Sequence, residues 1–101
     1  MLDAAREASS LVAGLSRADF DVNRTLRLAA VRLLEVIGEA ANRVPLEYRQ
    51  EHLEIPWVGV VGLRNRLIHG YDDVDDDVVW RILSDDLTLL ISELEKLMPV
   101  R

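Results

Sequence analysis

An all-α fold is the class that the sequence predicts, on three observations. Apolar residues recur every three or four positions over long stretches, no stretch shows the period-two alternation of a half-buried strand, and proline and aspartate stand where helices stop and start. The length of 101 residues suits one domain, residues 1–101, and the 50% hydrophobic fraction suits a modest buried core and excludes a disordered acidic tail. With no cysteine, neither a disulfide framework nor a thiolate metal site is possible.

Taken in order, residues 2–15 form a short first helix with Leu11, Val12 and Leu15 as its apolar edge. The second helix places Leu26, Ala30, Leu33, Ile37, Ala40 and Val44 on one face, with Asp21 as the cap at its start and Pro45 as its stop. Residues 46–52 add one short turn. A third helix begins at Pro56, a position helices accept in their first turn, and runs through Trp57, Val61 and Ile68 to His69-Gly70. In the last helix Leu83, Leu87, Leu90, Leu94 and Leu97 share a stripe, and Pro99 follows. The architecture expected is an up-and-down bundle of four main helices plus a short extra turn. Apolar residues at Val79, Ile82, Leu89 and Ile91 spread beyond one face, and residues 55–63 are almost entirely apolar with Gly59 and Gly62 three apart. That segment fits either the central buried helix of a monomer or the seam of a symmetric homodimer, where the glycines would admit a second helix.

Twelve basic residues against 18 acidic ones leave a net charge of −6, which excludes a broad electrostatic grip on nucleic acid. Any nucleic-acid site must be local. No uncharged run reaches the roughly 18–20 residues that cross a bilayer, and the start lacks the basic flank and apolar stretch of a signal peptide. A cytoplasmic protein with no membrane partner is expected. The acidic run from Asp72 to Asp77 fails as a calcium loop, because Val78 stands where the turn glycine is needed; helix capping explains it better. Glu35 and Glu39 stand four apart without the Glu-x-x-His companion of a bundle metal site, so they suit solvent-facing or dimer-contact roles. His52, flanked by Glu51 and Glu54, reads as a surface residue, and two histidines so far apart give no metal-ligand spacing. Trp57 and Trp80 read as core or interface anchors. No metal is expected.

The polar chemistry concentrates in Gly62-Leu63-Arg64-Asn65-Arg66-Leu67-Ile68-His69-Gly70-Tyr71, at the end of a helix otherwise built for burial. A helix C-terminus and the aspartates beyond it favour a protonated imidazole at His69, and such a group can serve as an acid or base. Arg64 offers a planar fork to a phosphate. The plainer alternative is that Arg64 or Arg66 pairs with the Asp72–Asp77 cluster and His69 caps the helix.

The spacing Arg64-(four residues)-His69-x-Tyr71 resembles the signature of the HEPN superfamily, specifically its HepT-like branch. Leu33-Leu34-Glu35-Val36-Ile37-Gly38-Glu39-Ala40-Ala41 resembles the second-helix motif of that branch, and His52-Leu53-Glu54-Ile55-Pro56-Trp57 resembles the lead into its motif helix. Asp77-Val78-Val79-Trp80 resembles the start of its last helix. The resemblance implies a metal-independent ribonuclease toxin of a two-gene toxin–antitoxin system, acting on RNA as a homodimer whose paired Arg and His residues meet in a cleft. It implies His69 in acid–base transfer, Arg64 on the scissile phosphate and Asn65 orienting either group; against the net charge, Arg64 and Arg66 of two chains, with Arg81 as a further contributor, must create a local positive groove. Tyr71 resembles the tyrosine to which a partner, a minimal nucleotidyltransferase antitoxin, transfers AMP from ATP; the toxin needs no cofactor of its own. The aspartates after Tyr71 should repel RNA, and they suit instead docking to that partner. A second hypothesis is therefore a non-catalytic helical subunit that binds the nucleotidyltransferase, and a third is a dimeric scaffold.

Overall fold

The first helix, expected over residues 2–15, stops four residues short of that bound. In the computed structural model, which describes residues 1–67 and 74–97, α1 (Leu2–Leu11) ends ahead of Gly14, whose φ of +76° turns the chain through a conformation that favours glycine. Ser16 then opens α2 (Arg17–Asp21): its hydroxyl accepts the Asp19 N–H at 3.2 Å, and the Asp19 carboxylate accepts the Ser16 N–H at 2.9 Å. The long central helix α3 (Arg24–Asn42) is capped by Asn23, whose side-chain oxygen accepts the Leu26 N–H at 3.0 Å. Asp21, expected in that role, lies at the end of α2 and pairs with Arg17 at 2.8 Å.

After α4 (Leu46–Glu51) the expected third helix is two short ones, α5 (Trp57–Val61) and α6 (Leu63–Leu67), broken at Gly62. The C-terminal helical run starts at α7 (Asp76–Arg81), where the Asp75 side chain accepts the Val78 N–H at 3.2 Å. It passes through a π-helical turn (Ile82–Asp86) into α8 (Leu87–Lys96). No β-strand forms among the described residues. The all-helical class holds, while the count of four main helices gives way to eight helices and a π turn among the described residues. Gly62 divides the third helix, the π turn divides the last, and α2 is an addition.

α3 is the spine. α1 lies along one side of it and also meets α8; α5 and α6 lie along another, and α2 and α7 close one end. Its most buried residues are Ala30, Leu34, Ile37, Gly38 and Ala41; Ala30 and Ile37 belong to the stripe read from periodicity, whose Leu26, Leu33, Ala40 and Val44 are half-buried. A helix flanked on two sides buries a wider arc than one apolar row. On the C-terminal run Leu83, Leu87, Leu90 and Leu94 are buried as expected. Phe20 is fully buried, with its ring centroid 5.4 Å from that of Trp80, so that α2 is anchored on α7. Trp57 is buried too, and its indole N–H donates to the His52 carbonyl at 2.9 Å. His52 departs from expectation: it is half-buried, its ring 4.2 Å from that of Tyr48 and its Nδ1 3.4 Å from a Glu54 oxygen.

Phe20→Ala should cost about 3–5 kcal/mol in chemical denaturation, the range for emptying a fully buried aromatic site; a loss below about 1 kcal/mol would contradict the packing described. The bonds from Ser16, its backbone N–H first and its hydroxyl second, hold Asp19 below its ordinary value of 3.8 in the folded chain. The stability this supplies is full above 3.8 and is lost as pH falls through the lowered folded value. Asp19→Asn should therefore lower the Tm near neutral pH, with the gap to the parent closing in strong acid. A gap independent of pH would refute the assignment.

Candidate functional site

Of the expected site residues, Arg64, Asn65 and Arg66 stand on α6, directly after the break at Gly62. At about 100° per residue, neighbours two apart on a helix point to nearly opposite sides. Arg64 and Asn65 accordingly line a shallow cavity of about 270 Å³ whose other wall is α3, with Glu35, Gly38, Glu39 and Asn42. Arg66 faces away from it, into an apolar groove of about 480 Å³ that includes Pro56, Leu63, Leu87 and Leu90. There it pairs with Asp86, the last residue of the π turn, at 3.5 Å. Arg64 and Asn65 are thus brought together, while Arg66 is held elsewhere.

The cavity exists because α3 and the α5–α6 junction approach closely at Gly38. A Cβ at that position would lie 3.1 Å from the Val60 carbonyl oxygen and 3.6 Å from Leu63 Cβ. The tight helix contact expected at Gly59 or Gly62 is, within the chain, made here. Gly38 and Asn42 were not among the expected site residues. The available signal was a glycine in mid-helix, which costs about 1 kcal/mol against alanine and so implies a packing reason.

Two carboxylates set the electrostatics of the α3 wall. Arg32 lies 3.8 Å from a Glu35 oxygen and 3.7 Å from a Glu39 oxygen. Glu35 is half-buried and Glu39 exposed, so both share the wall facing Arg64 rather than serving solvent alone. Among the described residues no group of three or more His, Asp or Glu side chains could hold a metal ion. No helix among them is long and apolar enough to cross a membrane.

His69 and Tyr71 lie outside the described residues. On either side of their stretch, the Asp75 N–H donates to the Leu67 carbonyl at 2.8 Å, so the chain leaves α6 and returns to the same place. Leu67 is fully buried, which fixes that point to the core. Two of the following aspartates have basic partners other than the site arginines: Asp77 pairs with Arg17 at 2.8 Å, and Asp76 lies 3.8 Å from Arg27. The Asp21 and Asp77 hydrogen bonds raise the Arg17 pKa above its already high ordinary value, so its guanidinium stays charged. The plainer reading, in which Arg64 or Arg66 neutralises this cluster, is not what is seen for Asp76 and Asp77.

An exposed guanidinium and an amide on one helical turn, over an open cavity, can bind a phosphate in a planar fork. The comparison with known proteins agrees with a polyanion-processing role. The family described as Ribonuclease HepT-like matches residues 1–97. The chain belongs to this family, a branch of the HEPN superfamily. Among its HepT-like relatives, "Probable ribonuclease HepT" of Thermococcus cleftensis is 38% identical over 78% of this chain and 72% of its own length. A "Putative RNase" of Methanocaldococcus jannaschii is 33% identical over 94% of this chain and 87% of its own. One bearing the same description in Caldanaerobacter subterraneus subsp. tengcongensis is 40% identical over 84% and 72%. No solved structure matches the chain.

Gly38→Ala should displace the α5–α6 junction by a few tenths of an ångström, since the atom it meets is backbone. In amide NMR spectra the signals of Arg64 and Asn65 should move while those of α1 stay. Unmoved α6 signals would show that Gly38 does not position the site.

Proposed function

We propose that this chain is the toxin of a toxin–antitoxin pair: a metal-independent endoribonuclease that works as a homodimer in the cytoplasm. A partner nucleotidyltransferase would silence it by moving AMP from ATP to Tyr71. The observation that carries the reading is the place of Arg64, exposed over a cavity on the helix from which the His69 stretch departs. Membership of a ribonuclease family supports the reaction class.

In this reading a strand of RNA lays its scissile phosphate against Arg64 from each of two copies, with Asn65 orienting it. One His69 takes the proton of the 2′-hydroxyl as that oxygen attacks phosphorus. The other His69 gives a proton to the 5′-oxygen as its bond to phosphorus breaks, leaving a 2′,3′-cyclic phosphate and a 5′-hydroxyl. Arg64 offsets the negative charge that builds on the phosphoryl oxygens. Arg66, engaged by Asp86 in the other groove, adds field rather than contact.

The shape of one copy favours pairing. Its extents are 40 × 33 × 16 Å, a slab rather than a sphere. Its accessible surface of 6581 Å² exceeds the roughly 5,800 Å² that size scaling gives for a monomer of 11.4 kDa. Val58 and Leu89 are among the large apolar side chains left exposed. The net charge of −6 favours a second reading, a non-catalytic helical subunit that binds the nucleotidyltransferase.

Arg64→Ala and His69→Ala should each slow RNA cleavage by at least about 100-fold, with helical content retained in circular dichroism. Parental rates in both variants would overturn the ribonuclease reading, and a stable complex with the nucleotidyltransferase would then favour the second. Incubation with that enzyme and ATP should add the mass of AMP to the parent and not to Tyr71→Phe; an equal increment on both would remove Tyr71 from the account.

A further inference from the structure

We propose that the cavity between α3 and the first turn of α6 is a nucleobase pocket that selects guanine next to the phosphodiester held by Arg64. This rests on the ribonuclease reading for the role of Arg64, but the pocket makes its own claim on a ligand. Its lining puts a cation for phosphate, Arg64, beside two carboxylates, Glu35 and Glu39, and two amides, Asn42 and Asn65. That is more polar recognition than a phosphate needs, and the carboxylates would repel one. A nucleotide resolves the conflict, with its phosphate on Arg64 and a donor-bearing edge on the glutamates.

The volume of about 270 Å³ accommodates one base, and Gly38 and Val61 complete the lining between the polar side chains. Arg32 stands 3.7–3.8 Å from the two carboxylates, longer than a hydrogen bond, so their oxygens keep lone pairs to offer. Ionised carboxylates accept only. Guanine presents two adjacent donors, N1–H and the 2-amino group, which match the two oxygens of one carboxylate, and an Asn amide can donate to its O6. Adenine and cytosine set a bare ring nitrogen beside their single amino group, and uracil flanks its one N–H with two carbonyls. Each of these would face a glutamate oxygen with a lone pair. Single-stranded RNA is read by contacts of this kind to splayed-out bases.

The test is titration of the full ¹⁵N-labelled chain with guanosine, adenosine, cytidine and uridine 3′-monophosphates, followed by amide NMR. Guanosine monophosphate should bind about ten-fold or more tightly than uridine monophosphate, a modest return for a bidentate contact, and should shift Gly38, Asn42 and Asn65. Glu35→Gln or Glu39→Gln should remove the preference without altering the fold. Equal affinity for all four, shifts confined to other helices, or a preference that survives both substitutions would overturn the pocket. Cleavage of short RNAs separates this from the parent reading. Selective binding by a chain that cuts no RNA leaves the pocket standing and ends the ribonuclease reading; cleavage with no selective binding does the reverse.

Discussion

The contact on which the site depends is the one between Gly38 and the backbone of Val60, where a single absent Cβ lets the α5–α6 junction settle against the central helix. The close approach carries α6 alongside the polar stripe of α3, and with it Arg64 and Asn65. An alanine there would gain helix propensity of about 1 kcal/mol, so the glycine is locally unfavourable. Its cost is offset by packing, and the product of that packing is a cavity with an arginine over it.

Around that contact α6 is tied to the rest of the fold. Leu63 and Leu67 root α6 in the core, and the Asp75–Leu67 backbone bond closes the chain just beyond it. Arg17 and Arg27 meanwhile engage aspartates at the start of α7. The acidity that argues against nucleic acid in a count of charges is thus partly spoken for within the fold. What counts for an approaching polyanion is the local field at Arg64, and that field is shaped by Glu35 and Glu39 as much as by any arginine.

Much of this was legible in the residue pattern, and the failures are instructive. Long-range periodicity located α3 and the C-terminal run because each buries a stripe over many turns. It missed α2, since a five-residue helix with one buried side chain, Phe20, has no period to read. It joined α5 to α6 because apolar residues continue across Gly62. The cap at α3 went to Asn23 rather than Asp21, whose carboxylate Arg17 had taken. At the site, closeness in sequence misled in one respect: Arg64 and Arg66 are two positions apart and so face different cavities. The glutamates of α3, lacking a Glu-x-x-His companion, suit solvent-facing or dimer-contact roles in sequence, and Arg64, their neighbour across the gap, is 25 residues or more away along the chain. Only tertiary packing through Gly38 brings them together.

The central claim is that Arg64 of each of two copies reaches one phosphodiester. The most direct measurement is a crystal structure of the chain with a short RNA whose 2′-hydroxyl at the cut is replaced by hydrogen. The account predicts a twofold dimer with both Arg64 guanidiniums within hydrogen-bond distance of the same phosphate. A complex in which the two arginines lie on separate outer faces, or in which RNA binds away from α6, would contradict it.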